Sequence, residues 1–197
     1  METAWSVFYG AVGTLGMLHG IADAFQIPYD QKMIFIWIVL SSVIWGIAFG
    51  WKRHRKYLFP AAVGLFVWIG LWRWKEICEG ICRSMERMTE AVNAYYQFSW
   101  DAVKYVKTGG ISTEQTAILV AGVFVSGLLV GGFLQKKGRI LLAVLFAFGF
   151  LAPFLVGKVP ENRTVWELLI GIMGLLAMQT ALPGKQRKIK FFGTANG

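Results

Sequence analysis

The chain has 197 residues, of which 56% are hydrophobic and only 16% are charged, and its mean hydropathy is +0.53. A water-soluble domain carries about 25% charged residues, so this composition excludes an ordinary soluble protein and indicates a membrane protein. The net charge of +9 does not indicate nucleic-acid binding, because the basic residues cluster in short loops between apolar runs. The lipid bilayer is therefore the expected partner.

Three apolar runs occupy residues 1–75, and each is long enough to cross about 30 Å of hydrocarbon. They extend from Ala4 to Phe25, from Met33 to Trp51 and from Tyr57 to Trp74. The first run has an alternative interpretation as a signal peptide, because Ala22-Asp23-Ala24 fits a cleavage site. Its N-terminus lacks lysine and arginine, and it is longer than a usual signal core, so we favour an uncleaved helix.

The first run also contains two patterns that matter for packing and for chemistry. Gly16 and Gly20 form a G-x-x-x-G pattern, which lets a neighbouring helix approach closely. His19 and Asp23 lie four residues apart and therefore share one face of the helix. Ionisable residues in a spanning helix are candidates for proton or ion handling. The alternative, which we favour, is an interfacial polar pair close to water.

Residues 76–110 form the only long stretch rich in polar residues, and its apolar residues recur every three or four positions. We predict an amphipathic helix that continues to Val106 and is stopped by Thr108-Gly109-Gly110. No strong helix breaker separates it from the third run, so the two could be continuous. Its apolar face is either a packing surface, the commoner case, or a docking surface for an extracytoplasmic domain. The candidate docking residues are Met85, Met88, Val92, Tyr95 and Tyr96.

Cys78 and Cys82 lie four residues apart in this predicted helix. A structural metal site needs about four ligands, and the sequence offers no such set of cysteines and histidines. A disulfide between the two cysteines would strain an intact helix, and a catalytic cysteine would need a histidine partner. We therefore predict small packing residues here, and no catalytic, metal or cofactor site in the chain.

Residues 111–184 contain three further apolar runs. They extend from Thr116 to Leu134, from Ile140 to Val156 and from Val165 to Leu182. Gly127 and Gly131 give the first of these runs a small face for tight helix packing. Glu167 lies near the start of the last run, where an acidic residue suits the N-terminus of a helix, and we expect it at the outer rim of the protein.

The distribution of basic residues predicts the orientation. With six crossings and the N-terminus inside, the inner segments hold eleven of the twenty basic residues but only one acidic residue, Glu2. Because lysine and arginine prefer the cytoplasmic side, both termini, including the basic tail 185–197, are predicted to be cytoplasmic. The predicted fold is an all-α, multipass plasma-membrane protein. Six transmembrane helices are expected, with one long extracytoplasmic amphipathic helix between the third and the fourth.

Three spanning runs, an outer helix ending in Ala91-Val92-Asn93-Ala94-Tyr95-Tyr96, and three more runs resemble the N-terminal membrane region of bacterial multipass transglutaminase-like proteins. The resemblance covers mainly residues 57–135. In that family an extracytoplasmic Cys-His-Asp domain follows the membrane helices, and none of its catalytic residues maps onto this chain. The resemblance implies a truncated, non-catalytic module that anchors and positions a transglutaminase-like domain or another envelope partner.

Two other functions stay open at this stage. Six helices in fewer than 200 residues are similar to the substrate-binding subunits of energy-coupling-factor transporters. Gly16 and Gly20 would then have to replace the A-x-x-x-A face of that family, and the apolar runs offer few polar groups for a hydrophilic ligand. The third function is a structural subunit of a larger membrane complex that docks through its glycine faces.

Overall fold

The computed structural model describes residues 2–51, 53–100, 112–135 and 139–180. Within these residues the chain forms seven α-helices and no strand, so the predicted all-α class is confirmed. The helices are α1 (Glu2–Ala24), α2 (Gln31–Gly50), α3 (Arg55–Trp72), α4 (Trp74–Tyr96), α5 (Ser112–Gln135), α6 (Arg139–Leu155) and α7 (Asn162–Thr180).

Length and composition identify fewer membrane spans than the six expected. Among the described helices, α2 and residues 114–131 of α5 are long and apolar enough to cross a membrane. The bent pair of α3 and α4 makes a third candidate if the two helices count as one span. These two or three candidates support membrane association of part of the chain.

The first helix, α1, lies at the centre of the bundle and packs against α2, α5, α6 and α7. Ser6, Thr14 and His19 on this helix are buried, and the Thr14 hydroxyl donates a hydrogen bond to the Gly10 carbonyl at 2.7 Å. Most side chains of residues 10–24 of α1 are buried against these helices, whereas Trp5 and Phe8 near its start are exposed. This position accounts for the lower apolar content of α1 relative to α2.

The surface of the bundle is apolar, whereas several polar side chains are buried. The Ser41 and Ser126 hydroxyls, for example, lie 3.0 Å apart in the interface between α2 and α5. Large apolar side chains are exposed on all seven of the described helices. They include Phe35, Ile36 and Leu40 on α2, Leu65, Val67 and Trp68 on α3, Val144, Phe148 and Leu151 on α6, and Trp166, Leu169 and Met173 on α7.

The third and fourth helices are separate, and their axes differ by 78°. The break lies at Arg73, whose backbone has φ −100° and ψ 17°. The continuous helix that the sequence left open is therefore not formed. Because of the bend, α4 leaves the direction of α3 and packs against α5.

The amphipathic helix is shorter than predicted. It ends at Tyr96 rather than at Val106, because Gln97 adopts the left-handed conformation, with φ 58° and ψ 31°. Asn93 then holds the following chain, since its Nδ2 donates to the Trp100 carbonyl at 2.8 Å and its Oδ1 accepts from the Trp100 amide at 3.4 Å. The predicted stop at 108–110 lies outside the described residues.

Glycines of α1 lie against two neighbouring helices. A β-carbon added at Gly16 would lie 2.9 Å from the Leu168 backbone nitrogen of α7. A β-carbon added at Gly20 would lie 2.6 Å from the Gly149 carbonyl oxygen of α6. Both distances are shorter than van der Waals contact, so these helices pack this closely only because the two residues lack side chains.

Glycines of α5 make room for aromatic rings of α2 instead. A β-carbon at Gly127 would lie 2.7 Å from the Trp45 indole, and one at Gly131 would lie 2.9 Å from the Phe49 ring. The Trp45 Nε1 also donates a hydrogen bond to the Val123 carbonyl at 3.1 Å. The two helices identified as candidate spans are therefore tightly packed against each other.

Candidate functional site

A buried ionisable cluster joins α1 to α7 at the end of the bundle where α4 lies, which we call the α4 end. The Nδ1 of His19 donates to the Glu167 Oε2 at 2.6 Å, because an ionised carboxylate can only accept. The Glu167 Oε1 accepts from the Arg163 Nε at 2.9 Å, and the Arg163 Nη1 donates to Gln31 at 3.1 Å. One carboxylate thus links α1 to α7, and Arg163 extends the link to α2.

His19 and Asp23, the candidate polar pair on one face of α1, have different hydrogen-bond partners. Asp23 accepts a hydrogen bond from the Tyr29 hydroxyl at 3.0 Å, while His19 bonds to Glu167. The Tyr29 ring stacks on the His19 ring with 5.6 Å between centroids, so Tyr29 connects the two residues. Helical spacing placed His19 and Asp23 on one face but carried no information on Glu167 or Tyr29, which come from other segments. Glu167, expected at the rim, is part of this cluster.

The Tyr29 hydroxyl stays protonated in this setting. Burial, and then the nearby Asp23 carboxylate, raise the pKa of Tyr29 above its ordinary value.

The His19 Nε2 is buried without a hydrogen-bond partner among the described residues. Among the residues that the structure describes, no group of three or more histidine, cysteine and acidic residues could hold a metal ion. The geometry is that of a cross-link between helices.

Ion pairing fixes α4 to the rest of the bundle. The Arg87 Nε donates to the Oε1 of Glu114, a buried residue in the first turn of α5, at 3.0 Å. The Arg87 Nη1 also donates to the Gln26 carbonyl at 3.4 Å. One arginine of α4 therefore holds both α5 and the loop between α1 and α2.

The predicted docking face of α4 is divided in the structure. Met88 and Val92 are partly buried and pack, together with Ala91, against the apolar core of the bundle. Met85, Tyr95 and Tyr96 are 62%, 53% and 46% exposed. One part of the face thus serves packing, and the other part is open.

Four aromatic residues at the end of α4 form a continuous exposed surface, which we call the aromatic ladder: Tyr95, Tyr96, Phe98 and Trp100. Tyr95 and Tyr96 meet edge to face at 4.8 Å, and Phe98 stacks on Tyr96 at 5.6 Å and on Trp100 at 5.1 Å. All four are exposed. Phe98 and Trp100 were not among the predicted docking residues, although the alternating aromatics of Tyr96-Gln97-Phe98-Ser99-Trp100 were a usable signal.

A groove of about 400 Å³ with both apolar and charged lining lies beside the aromatic ladder. Its charged and hydrogen-bonding lining comes from α4 and from the two loops that flank α1 and α6, and includes Gln26, Arg87, Glu90, Tyr95 and Lys158. Cys78 and Cys82 are free thiols of intermediate burial on α4 and do not line this groove.

The chain has no significant match to any protein-family model, to any curated protein or to any solved structure.

Arg87→Gln is expected to lower the free energy of unfolding by about 2 kcal/mol, because it leaves the buried Glu114 carboxylate without its cation. Hydrogen exchange of the α4 amides should rise relative to that of α1. Lys75→Gln, which removes an exposed cation from the same helix, is the control. It should change the free energy of unfolding and the hydrogen exchange of α4 only a little. Equal exchange in the two variants would show that Arg87 does not anchor α4.

Proposed function

We propose that the chain is a non-catalytic integral membrane module of six spanning helices that positions an extracytoplasmic domain or envelope partner at α4. The aromatic ladder, exposed at the end of an anchored helix, is the observation that carries this proposal. The resemblance of the sequence to multipass transglutaminase-like proteins favours a transglutaminase-like domain as the docked element.

Length and composition alone do not identify α6 and α7 as membrane spans, but the exposed surfaces of these helices support six crossings. Phe148 and Leu151 on α6, and Leu169 and Met173 on α7, are large apolar side chains that are 43–63% exposed. Contiguous apolar surface on this scale marks contact with lipid or protein rather than with water. The central helix α1 packs against α2, α5, α6 and α7, and its exposed large apolar side chains, Trp5 and Phe8, lie near its start.

The orientation is supported by where the basic residues lie. Arg53, Arg55 and Lys56 are exposed at the connection between α2 and α3, at the end of these helices opposite to the α4 end. Positive residues in short loops favour the cytoplasm, so the α4 end belongs outside the cell. In this orientation both termini are cytoplasmic, in the plasma (inner) membrane.

Two features of the aromatic ladder favour docking: the types of its side chains and the anchoring of the helix that bears them. Tyrosine and tryptophan are the residues that most often dominate binding energy at protein interfaces. Arg87 and the packed part of the α4 face hold the helix in place, so binding does not have to order it. The mixed charges of the adjacent groove supply the polar rim that such interfaces carry.

Photo-crosslinking in the natural host, with the full natural polypeptide, tests this function. A photoreactive aromatic residue at Tyr96 is expected to give a crosslink to an extracytoplasmic domain, identified by the masses of the joined peptides. The same residue at Tyr57, an exposed tyrosine at the opposite end of the bundle, is the matched control and should give none. Asn93→Ala, which frees Trp100 from α4, should lower the yield at Tyr96.

Two outcomes would contradict the docking function. Crosslinks from Tyr96 to lipid alone would make the aromatic ladder an interfacial membrane belt. Equal yields of the same protein crosslink from Tyr96 and Tyr57 would show that contact is not confined to the α4 end.

A further inference from the structure

An apolar cavity of about 280 Å³ lies between α2, α3 and α5 and is separate from the aromatic ladder. The third helix packs mainly against α2, which leaves space between α3 and α5. Most of the wall is aliphatic or aromatic, and it includes Trp37, Phe66, Ile69, Val120, Val123 and Phe124. A hydrophilic substrate would find almost no partner in this cavity.

The polar lining is confined to the α4 end of the cavity. Arg73, at the break between α3 and α4, lies there with Gln115 and Thr116 of the first turns of α5. Arg73 is paired with Glu76, and its side chain is 52% exposed. The mouth of the cavity therefore has a guanidinium group that is partly open to the exterior.

We propose that this cavity is a lipid-binding site that takes one acyl chain of a phospholipid, with the phosphate at Arg73. Two of the three helices that form its walls, α2 and α5, are long and apolar enough to cross a membrane, and α3 is a further candidate when it is counted with α4 as one span. Lipid tails are therefore the apolar molecules expected around the cavity. An acyl chain in this space would make dispersion contacts with its aliphatic and aromatic walls. The planar guanidinium of arginine matches a phosphate through two parallel hydrogen bonds.

Two glycines of α3 give a matched pair of variants. Gly70 lines the cavity, whereas Gly64, on the same helix, does not. A β-carbon at either position meets nothing within 4 Å, so leucine fits at both. Both replacements raise helix propensity by the same amount, so a difference between Gly70→Leu and Gly64→Leu reports the filling of the cavity.

Native mass spectrometry of the protein purified in mild detergent measures the retained phospholipid. The wild type and Gly64→Leu should each retain one molecule, and Gly70→Leu should lose it. After delipidation, phosphatidylglycerol should raise the melting temperature of the wild type and of Gly64→Leu only. Arg73→Gln should weaken phosphatidylglycerol binding about tenfold, because it removes a charge-assisted contact.

Retention of phospholipid by Gly70→Leu at the level of Gly64→Leu would overturn the site. Diacylglycerol, which has the same tails but no phosphate, should bind more weakly than phosphatidylglycerol to the wild type. Equal binding of the two, or an unchanged affinity in Arg73→Gln, would remove the role of Arg73. Co-purification of a molecule without an acyl chain in the cavity would also contradict the proposal.

Discussion

Glu167→Ala lowers the free energy of unfolding of the bundle by about 3 kcal/mol, because it removes the acceptor shared by a buried histidine and an arginine. The variant leaves the His19 Nδ1 without its partner inside the protein and removes the ion-pair partner that Arg163 has four residues further along α7. The effect should exceed that of Arg87→Gln, since His19 is fully buried whereas Arg87 is partly exposed. Equilibrium unfolding in mixed micelles measures it.

The control for this prediction is Glu161→Ala, which removes an exposed carboxylate just before the same helix and should cost less than about 0.5 kcal/mol. His19→Leu should destabilise the protein too, and the double variant should cost less than the sum of the two single changes. Additive costs, or equal stability of Glu167→Ala and Glu161→Ala, would mean that this cluster does not cross-link α1 and α7.

Gly20→Leu is expected to destabilise the protein by about 3 kcal/mol, because the new side chain would enter the contact between α1 and α6. The atom it meets first is the Gly149 carbonyl oxygen, which belongs to the backbone and moves only if the whole helix moves. The same measurement of unfolding in mixed micelles applies, and loss of the folded fraction on expression is the extreme form of the result.

Gly64→Leu is the matched control for Gly20→Leu and should have the opposite sign. Nothing lies within 4 Å of a β-carbon at Gly64, so leucine there should stabilise α3 by up to about 1 kcal/mol through helix propensity alone. Destabilisation of similar size by both changes would indicate a general intolerance of leucine and not close packing at Gly20.

Local sequence patterns were sufficient to predict the helices, but they did not predict where α4 begins and ends. Apolar run length and the loops between runs predicted seven helices, and all seven are present in the described residues. No glycine or proline marks the bend at Arg73 in the sequence. None marks the end of α4 at Tyr96 either, because Gln97 takes the left-handed conformation that glycine usually provides. Propensity arguments therefore extended α4 too far.

The sequence indicated the parts of the candidate site that depend on one helix, but not the contacts that join residues from different helices. The amphipathic pattern placed Tyr95 and Tyr96 on the apolar face of α4, but it did not separate the packed part of that face from the exposed part. The contact between His19 and Glu167 joins residues 148 positions apart, and it depends on the packing of α1 against α7. A single sequence shows that each residue is ionisable within an apolar run, but it does not show which residues are partners.

Cysteine accessibility in intact cells tests most directly whether the α4 end lies outside a membrane-embedded bundle. In a background with Cys78→Ala and Cys82→Ala, single cysteines replace His54 and Glu90, both of which are exposed. A membrane-impermeant maleimide should label position 90 in intact cells and position 54 only after permeabilisation. Labelling of position 54 from outside, or of position 90 only after permeabilisation, would contradict the proposed orientation and with it the docking function.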